Sequence, residues 1–131
     1  MGISIARGVS AEIPRRVIGI TIDGGTSAIA AGNKGYIIIP YEGKIKSWNI
    51  HADTSGSAVI DVWKSTYPNI PSVSESITGS DKPTLSSAQL NRNLDITAWL
   101  DLTVKAEDII GFNLDSVDGV IKHLTLTLQV E

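Results

Sequence analysis

The chain contains no cysteine, which excludes disulfides, zinc ribbons, thiolate catalysis and iron–sulfur ligation. Charged residues make up only 19% of the chain and aromatics 5%, so neither a dense ionic surface nor an aromatic-lined cleft is available in quantity. No apolar run approaches the length of a membrane span. The start, "MGISIARGVSAEIPRRV", lacks the apolar stretch of a signal peptide. Gly2 is followed by Ala6 where a myristoylation motif requires Ser or Thr. These absences predict a soluble, unprocessed protein; the lack of cysteine suits a reducing cytoplasm. There is also no fixed-period repeat, heptad run or Gly-X-Y tract.

What is present points to one compact domain. The 131 residues, 42% of them hydrophobic, suffice to bury a core without metals or cross-links. A net charge of −3 and a pI near 5.3 argue against nucleic-acid binding, which needs a basic face. Charge is uneven, however: Arg7, Arg15 and Arg16 against Glu12 leave residues 1–16 at about +2 and the rest at about −5. That division predicts an extended N-terminal arm, residues 1–16, on an acidic body, residues 17–131. The arm's "ISIA" segment has the form of a strand that adds to a neighbour's sheet edge.

Period two dominates the body. In "VIKHLTLTLQV", Leu124, Leu126, Leu128 and Val130 alternate with Thr125, Thr127 and Gln129, the pattern of a strand with one wet face. "DIIGFNLD" alternates likewise, and "DSVDG" between the two supplies turn residues, predicting a hairpin-like pair over roughly 109–131. Further strands are expected near 16–22, 35–41, 44–52, 57–64 and 94–102, separated by Gly, Asn, Asp, Ser and Pro. "SSAQLNRNL", 86–94, reads as a single helical turn capped by Ser86, and "TSAIAAGNKG" as a loop turning at Gly32, Asn33 and Gly35. Pro68, Pro71 and Pro83 bracket a long polar crossing after the strand at 57–64. The expected fold is all-β, an antiparallel β-sandwich, because many half-buried strands bury their apolar faces best as two stacked sheets.

Chemical constellations are sparse. The glycines at 24, 25, 32 and 35 lack Walker spacing and read as tight turns. His51 and His123 have no ligand set at local spacing, and no GxSxG elbow occurs. Asp115 and Asp118 fit turn capping, with calcium at a loop tip as the alternative. Trp48, Trp63 and Trp99 sit in expected strands and read as core or sheet-end packing. Trp63 and Tyr67 are expected to pin the crossing, leaving Lys64 to face a partner. A carbohydrate-active enzyme or lectin built on Asp61, Trp63 and Tyr67 would need paired carboxylates beside exposed aromatics, and no such pairing is visible.

In order along the chain, "IDGG", "KGYIIIP", "HADTSGS", "VIDVWKSTYPNIP", "SITGSDKPTLS", "GFNLDS" and "TLTL" form an ensemble. Over residues 17–130 it resembles a β-sandwich module widespread in virion proteins of tailed bacteriophages, often tail-fibre or minor structural proteins. The resemblance implies a jelly-roll-like sandwich and a non-enzymatic structural or adhesive role in a symmetric assembly on the virion, put together in the host cytoplasm. It brings no catalytic residue. The expectation is a capsid decoration or cement protein anchored by its arm, homo-oligomeric and preferably a trimer. Its partners would be other virion proteins, with no cofactor, metal, nucleic acid or membrane. The alternative is a tail-fibre or tail-attachment module contacting host glycans. Arg7, Arg15, Arg16, Lys64 and Tyr67 are the partner-binding candidates.

Overall fold

The structure, a computed structural model, describes residues 15–131. Seven strands account for most of it: β1 (Arg16–Asp23), β2 (Gly32–Ile38), β3 (Gly43–Thr66), β4 (Thr84–Asn93), β5 (Thr103–Val104), β6 (Asp108–Val117) and β7 (His123–Val130), with one 3₁₀ turn at Val73–Glu75. Every strand pairing is antiparallel.

The architecture turns on β3, whose 24 residues change partner halfway. Its first half pairs with β7, from Ile45 opposite Val130 to Ala52 opposite Leu124. Its second half pairs with β6, from Ala58 opposite Val117 to Thr66 opposite Asp108. On its other side β4 does the same in reverse, Leu85 facing Ala58 and Asn93 facing Trp48. β1 extends the first sheet beyond β7 and β2 extends the second beyond β6. The sheets therefore run β1-β7-β3-β4 and β2-β6-β3-β4. Counting each half of β3 and β4 separately, and leaving the short β5 aside, the segments fall in the orders 1-8-3-6 and 2-7-4-5, the arrangement of a jelly roll. The fold is an antiparallel β-sandwich, as the alternation predicts.

The core fills the space between the sheets. Leu124, Leu126, Leu128 and Val130 of β7 are fully buried, and so are Ile110, Phe112 and Leu114 of β6 and Ile60 and Val62 of β3. Their partners in alternation, such as Thr125 and Thr127, lie on the outer surface, where the Thr21 and Thr125 hydroxyls are 3.1 Å apart.

Small polar residues, "DTSGS" at 53–57, occupy the point where β3 passes between sheets. Gly56 is required there by close approach: a Cβ would stand 2.9 Å from the Ile121 side chain and from Asp118 Oδ1. The β6–β7 connection passes β3 at this bend and is fastened at both of its ends. Asp118 Oδ2 accepts the Ser57 N–H at 2.7 Å, and Asp53 Oδ1 accepts the N–H groups of Lys122 and His123 at 3.0 and 3.1 Å. Those two amides, His123 foremost, hold the Asp53 carboxyl below its ordinary pKa. A depressed carboxyl contributes stability that is present above its ordinary pKa and lost as pH falls through the lower folded value. Asp53→Asn is therefore expected to flatten the acid limb of stability against pH, measured by urea denaturation between about pH 2 and pH 7. An unchanged acid limb would show that this clamp does not titrate with folding.

Several local expectations are corrected. The strands expected at 44–52 and 57–64 are one continuous strand, because both flanks of the bend keep partners in β4. The pair at 109–131 is not a hairpin: β6 and β7 pair along the same side of β3 but with different halves of it, in different sheets, since their connection arches past the bend. Residues 86–94 are strand, not a helical turn, as pairing with β3 overrides local propensity. β2 begins at Gly32, so Gly32 and Gly35 are in the sheet; Gly35, at φ 149°, sits where the β2–β6 register shifts. Residues 94–102 form turns and no strand. Arg16 already belongs to β1, one residue inside the expected arm.

Candidate functional site

On the second half of β3, Ile60 and Val62 point into the core, so Asp61, Trp63 and Ser65 point outward. Outward residues of a sandwich are normally wet, yet Asp61 is only 1% exposed. The crossing at 67–83, interrupted by prolines that cannot pair in mid-sheet, folds back over this face. Asp61 supplies the acceptors that fasten it. Its Oδ1 accepts from the Ser76 hydroxyl at 2.6 Å, the Thr78 hydroxyl at 2.8 Å and the Val62 N–H at 2.9 Å. Its Oδ2 accepts from the Trp63 indole at 3.0 Å and lies 3.7 Å from Lys82 Nζ. Lys82 reaches on to Asp115 at 2.7 Å, and that hydrogen bond holds its ammonium above the ordinary lysine range.

A second carboxylate repeats the device. Asp81 accepts the Trp48 indole N–H and the Asn93 amide on Oδ2, at 3.3 and 2.9 Å, while its carbonyl accepts the Trp99 indole at 2.8 Å. All three tryptophans thus give their N–H to the crossing or to the aspartate beneath it. The polar groups that could have formed a reactive cluster are engaged in structural contacts.

Lys64 lies at the end of the sandwich with its side chain 15% exposed. Its ammonium meets Asp101 Oδ2 at 2.6 Å, the Thr103 carbonyl at 2.7 Å and Asp108 at 3.9 Å. Burial works against the charge on Asp101, but Lys64 and Thr103 outweigh it and hold the carboxyl below its ordinary range. Lys64 is thus turned toward the protein's own carboxylates. Arg15 pairs with Glu131 at 3.5 Å and Arg16 stacks over the Tyr41 ring at 4.8 Å, so both are seated on the body. Arg7, with residues 1–14 of the expected arm, lies outside the described residues. Trp63 meets the crossing through a backbone bridge to Ser76, while its indole braces Asp61 of its own strand. Tyr67 pins the crossing only through its N–H, donated to the Glu107 carbonyl at 2.8 Å, and its ring is exposed.

Lys64 and Glu131, the partner of Arg15, line one cavity at the end of the sandwich, while Arg16 lies over the Tyr41 ring and the Tyr67 ring is exposed. Beside β2 lies an apolar shelf that the sequence did not single out. Pro71 of the crossing and the Tyr36 ring both lie against Gly111, so the crossing borders β2; Tyr36 and Ile38 of β2 and Tyr67, Ile70 and Val73 of the crossing are all exposed. The signal was present in "KGYIII", where Tyr36 and Ile38 alternate with the inward Ile37. Asp115 and Asp118 do not converge on a cation: Asp115 binds Lys82 and the Asn113 amide, and Asp118 faces the Ser57 backbone. Among the described residues no group of three or more His, Asp or Glu side chains is placed to hold a metal.

No protein-family model matches the chain, and no curated protein sequence matches it. Among solved structures, one similar fold is the crystal structure of SPBc2 prophage-derived protein YomS. It has a TM-score of 0.42 and 12% sequence identity, over 92% of this chain and 97% of that one. A likeness that distant carries no functional argument.

Proposed function

We propose that this chain is a non-enzymatic structural protein of a tailed-bacteriophage virion, acting as a capsid decoration or cement protein whose N-terminal arm anchors it to neighbouring virion proteins. The reading starts from the ordered resemblance of residues 17–130 to virion β-sandwich modules, and the jelly-roll sandwich is the fold that resemblance implies. The observation that carries it further is the disposition of polar and apolar groups. The buried Asp61 and the Trp48 and Trp99 indoles bind the crossing, while large apolar side chains of β2 and the crossing stand exposed. Such a surface favours contact with protein over chemistry on a small substrate.

The chain is expected among the stoichiometric components of purified particles, with density for the sandwich on the capsid in a cryo-electron microscopy map. Absence from purified particles would overturn the virion reading. Turnover of a polysaccharide by the purified protein would overturn the non-enzymatic one. A tail-fibre or tail-attachment role is the second reading, favoured by the exposed Tyr67 and Tyr36 rings, which suit sugar stacking. Density at the tail, with glycan binding lost in Tyr67→Ala, would decide for it.

A further inference from the structure

Among the described residues β2 is the last strand of its sheet and pairs only with β6. Ile39 gives its N–H to the Asp108 carbonyl and its carbonyl accepts the Glu107 N–H, so odd-numbered residues of this strand face β6. By the alternation of an antiparallel ladder, the N–H and C=O groups of Tyr36 and Ile38 point to the open edge. The side chains of the same two residues are 43% and 53% exposed. An edge that presents unpaired backbone groups together with apolar side chains is a template for another strand. Between Gly35 and Ile38 the sequence places no charge and no proline, and among the described residues no strand pairs with this edge.

We propose that the occupant of this edge is the arm of a second copy of this chain, its residues 2–7 adding a strand beside β2, with its body covering the apolar shelf. Three observations select this partner. First, Ile3 and Ile5 alternate with Ser4 and Ala6, so one face of the strand would set two isoleucines beside Tyr36 and Ile38. Second, Arg15 and Arg16 are fixed at Glu131 and Tyr41, and residues 8–14 between them and the strand reach up to about 23 Å when extended, enough to leave one body and meet another. Third, an added strand covers only the edge, whereas Tyr67, Ile70 and Val73 stay 58–69% exposed beyond it. A second body brought in by its arm covers both. The inference goes beyond the virion reading and does not depend on it.

The test is sedimentation of the full chain over a concentration series, with exchange of the Tyr36 and Ile38 amides followed by NMR. Association is expected, with both amides slowing as the oligomer forms. Ile3→Asp/Ile5→Asp and, separately, Val73→Asp are each expected to weaken association about tenfold or more. Their thermal stability should hold, since residues 15–131 supply every strand of the described sandwich and Val73 is exposed. A monomer at all concentrations, or association indifferent to these substitutions, would overturn the proposal. So would protected Tyr36 and Ile38 amides in the dilute monomer, because the protein's own arm would then be the occupant.

Discussion

Asp61→Ala is expected to cost about 3–5 kcal/mol of folding stability, the usual consequence of removing one member of a buried, hydrogen-bonded charge network. The loss should appear in urea denaturation and as a fall in Tm of roughly 12–20 °C, taking about 4 °C per kcal/mol for a domain of this size. Two hydroxyls, an indole N–H and a backbone N–H lose their acceptor together, and Lys82 loses a counter-charge. Asp61→Asn keeps one oxygen at the same place and should cost about 1–3 kcal/mol. Ser76→Ala combined with Asp61→Ala should cost less than the two single losses summed, since the Ser76 hydroxyl acts through the carboxylate. A loss below about 1 kcal/mol for Asp61→Ala would mean that the crossing is held by its other contacts and that Asp61 is incidental.

Phe112→Ala is expected to cost a similar 3–5 kcal/mol, for a different reason. Phe112 is fully buried on β6, opposite Val62, and its ring fills the space between the sheets. Truncation removes apolar burial and leaves a cavity that neighbours in two hydrogen-bonded sheets cannot collapse to fill. Phe112→Leu should recover more than half of the loss. Denaturant midpoints of the two variants would decide the matter. Equal losses would indicate that the ring's shape, and not its volume, is what the core requires.

The sequence displays the alternation of β7 without ambiguity, and the structure buries the four predicted side chains of that strand. What it conceals is partnership. "DSVDG" carries turn chemistry whether the chain turns back beside itself or arches to another sheet, so β6 and β7 look like a hairpin and are not one. "LDITAWLDL" shows a different limit. Its β-branched and apolar residues suggest a strand, but Asp95 accepts from Thr97 and Asp101 from Thr103, each two residues on, and these local bonds close turns. The repeated Asp-x-Thr spacing was the legible sign. That Trp63 meets the crossing could be read from its place at a strand's end. The role of Asp61 could not, because an aspartate at an outward position normally meets water, and only the return of the crossing buries it. The apolar shelf was hidden for the same reason: it joins β2 to residues that lie some thirty positions later.

The sharing of β3 and β4 between the sheets gives the sandwich a spine. In a sandwich whose sheets touch only through side chains, the layers can part on every side. Here they are stitched along one margin by strands hydrogen-bonded in both, so they can open only like a book, at the margin where β1 faces β2 and a Cβ added to Gly35 would stand 3.6 Å from the Ile20 side chain. That fore-edge is also where β2 presents its unpaired backbone. A partner that bound there would act as a clasp, closing the pages at the one place where the fold itself does not.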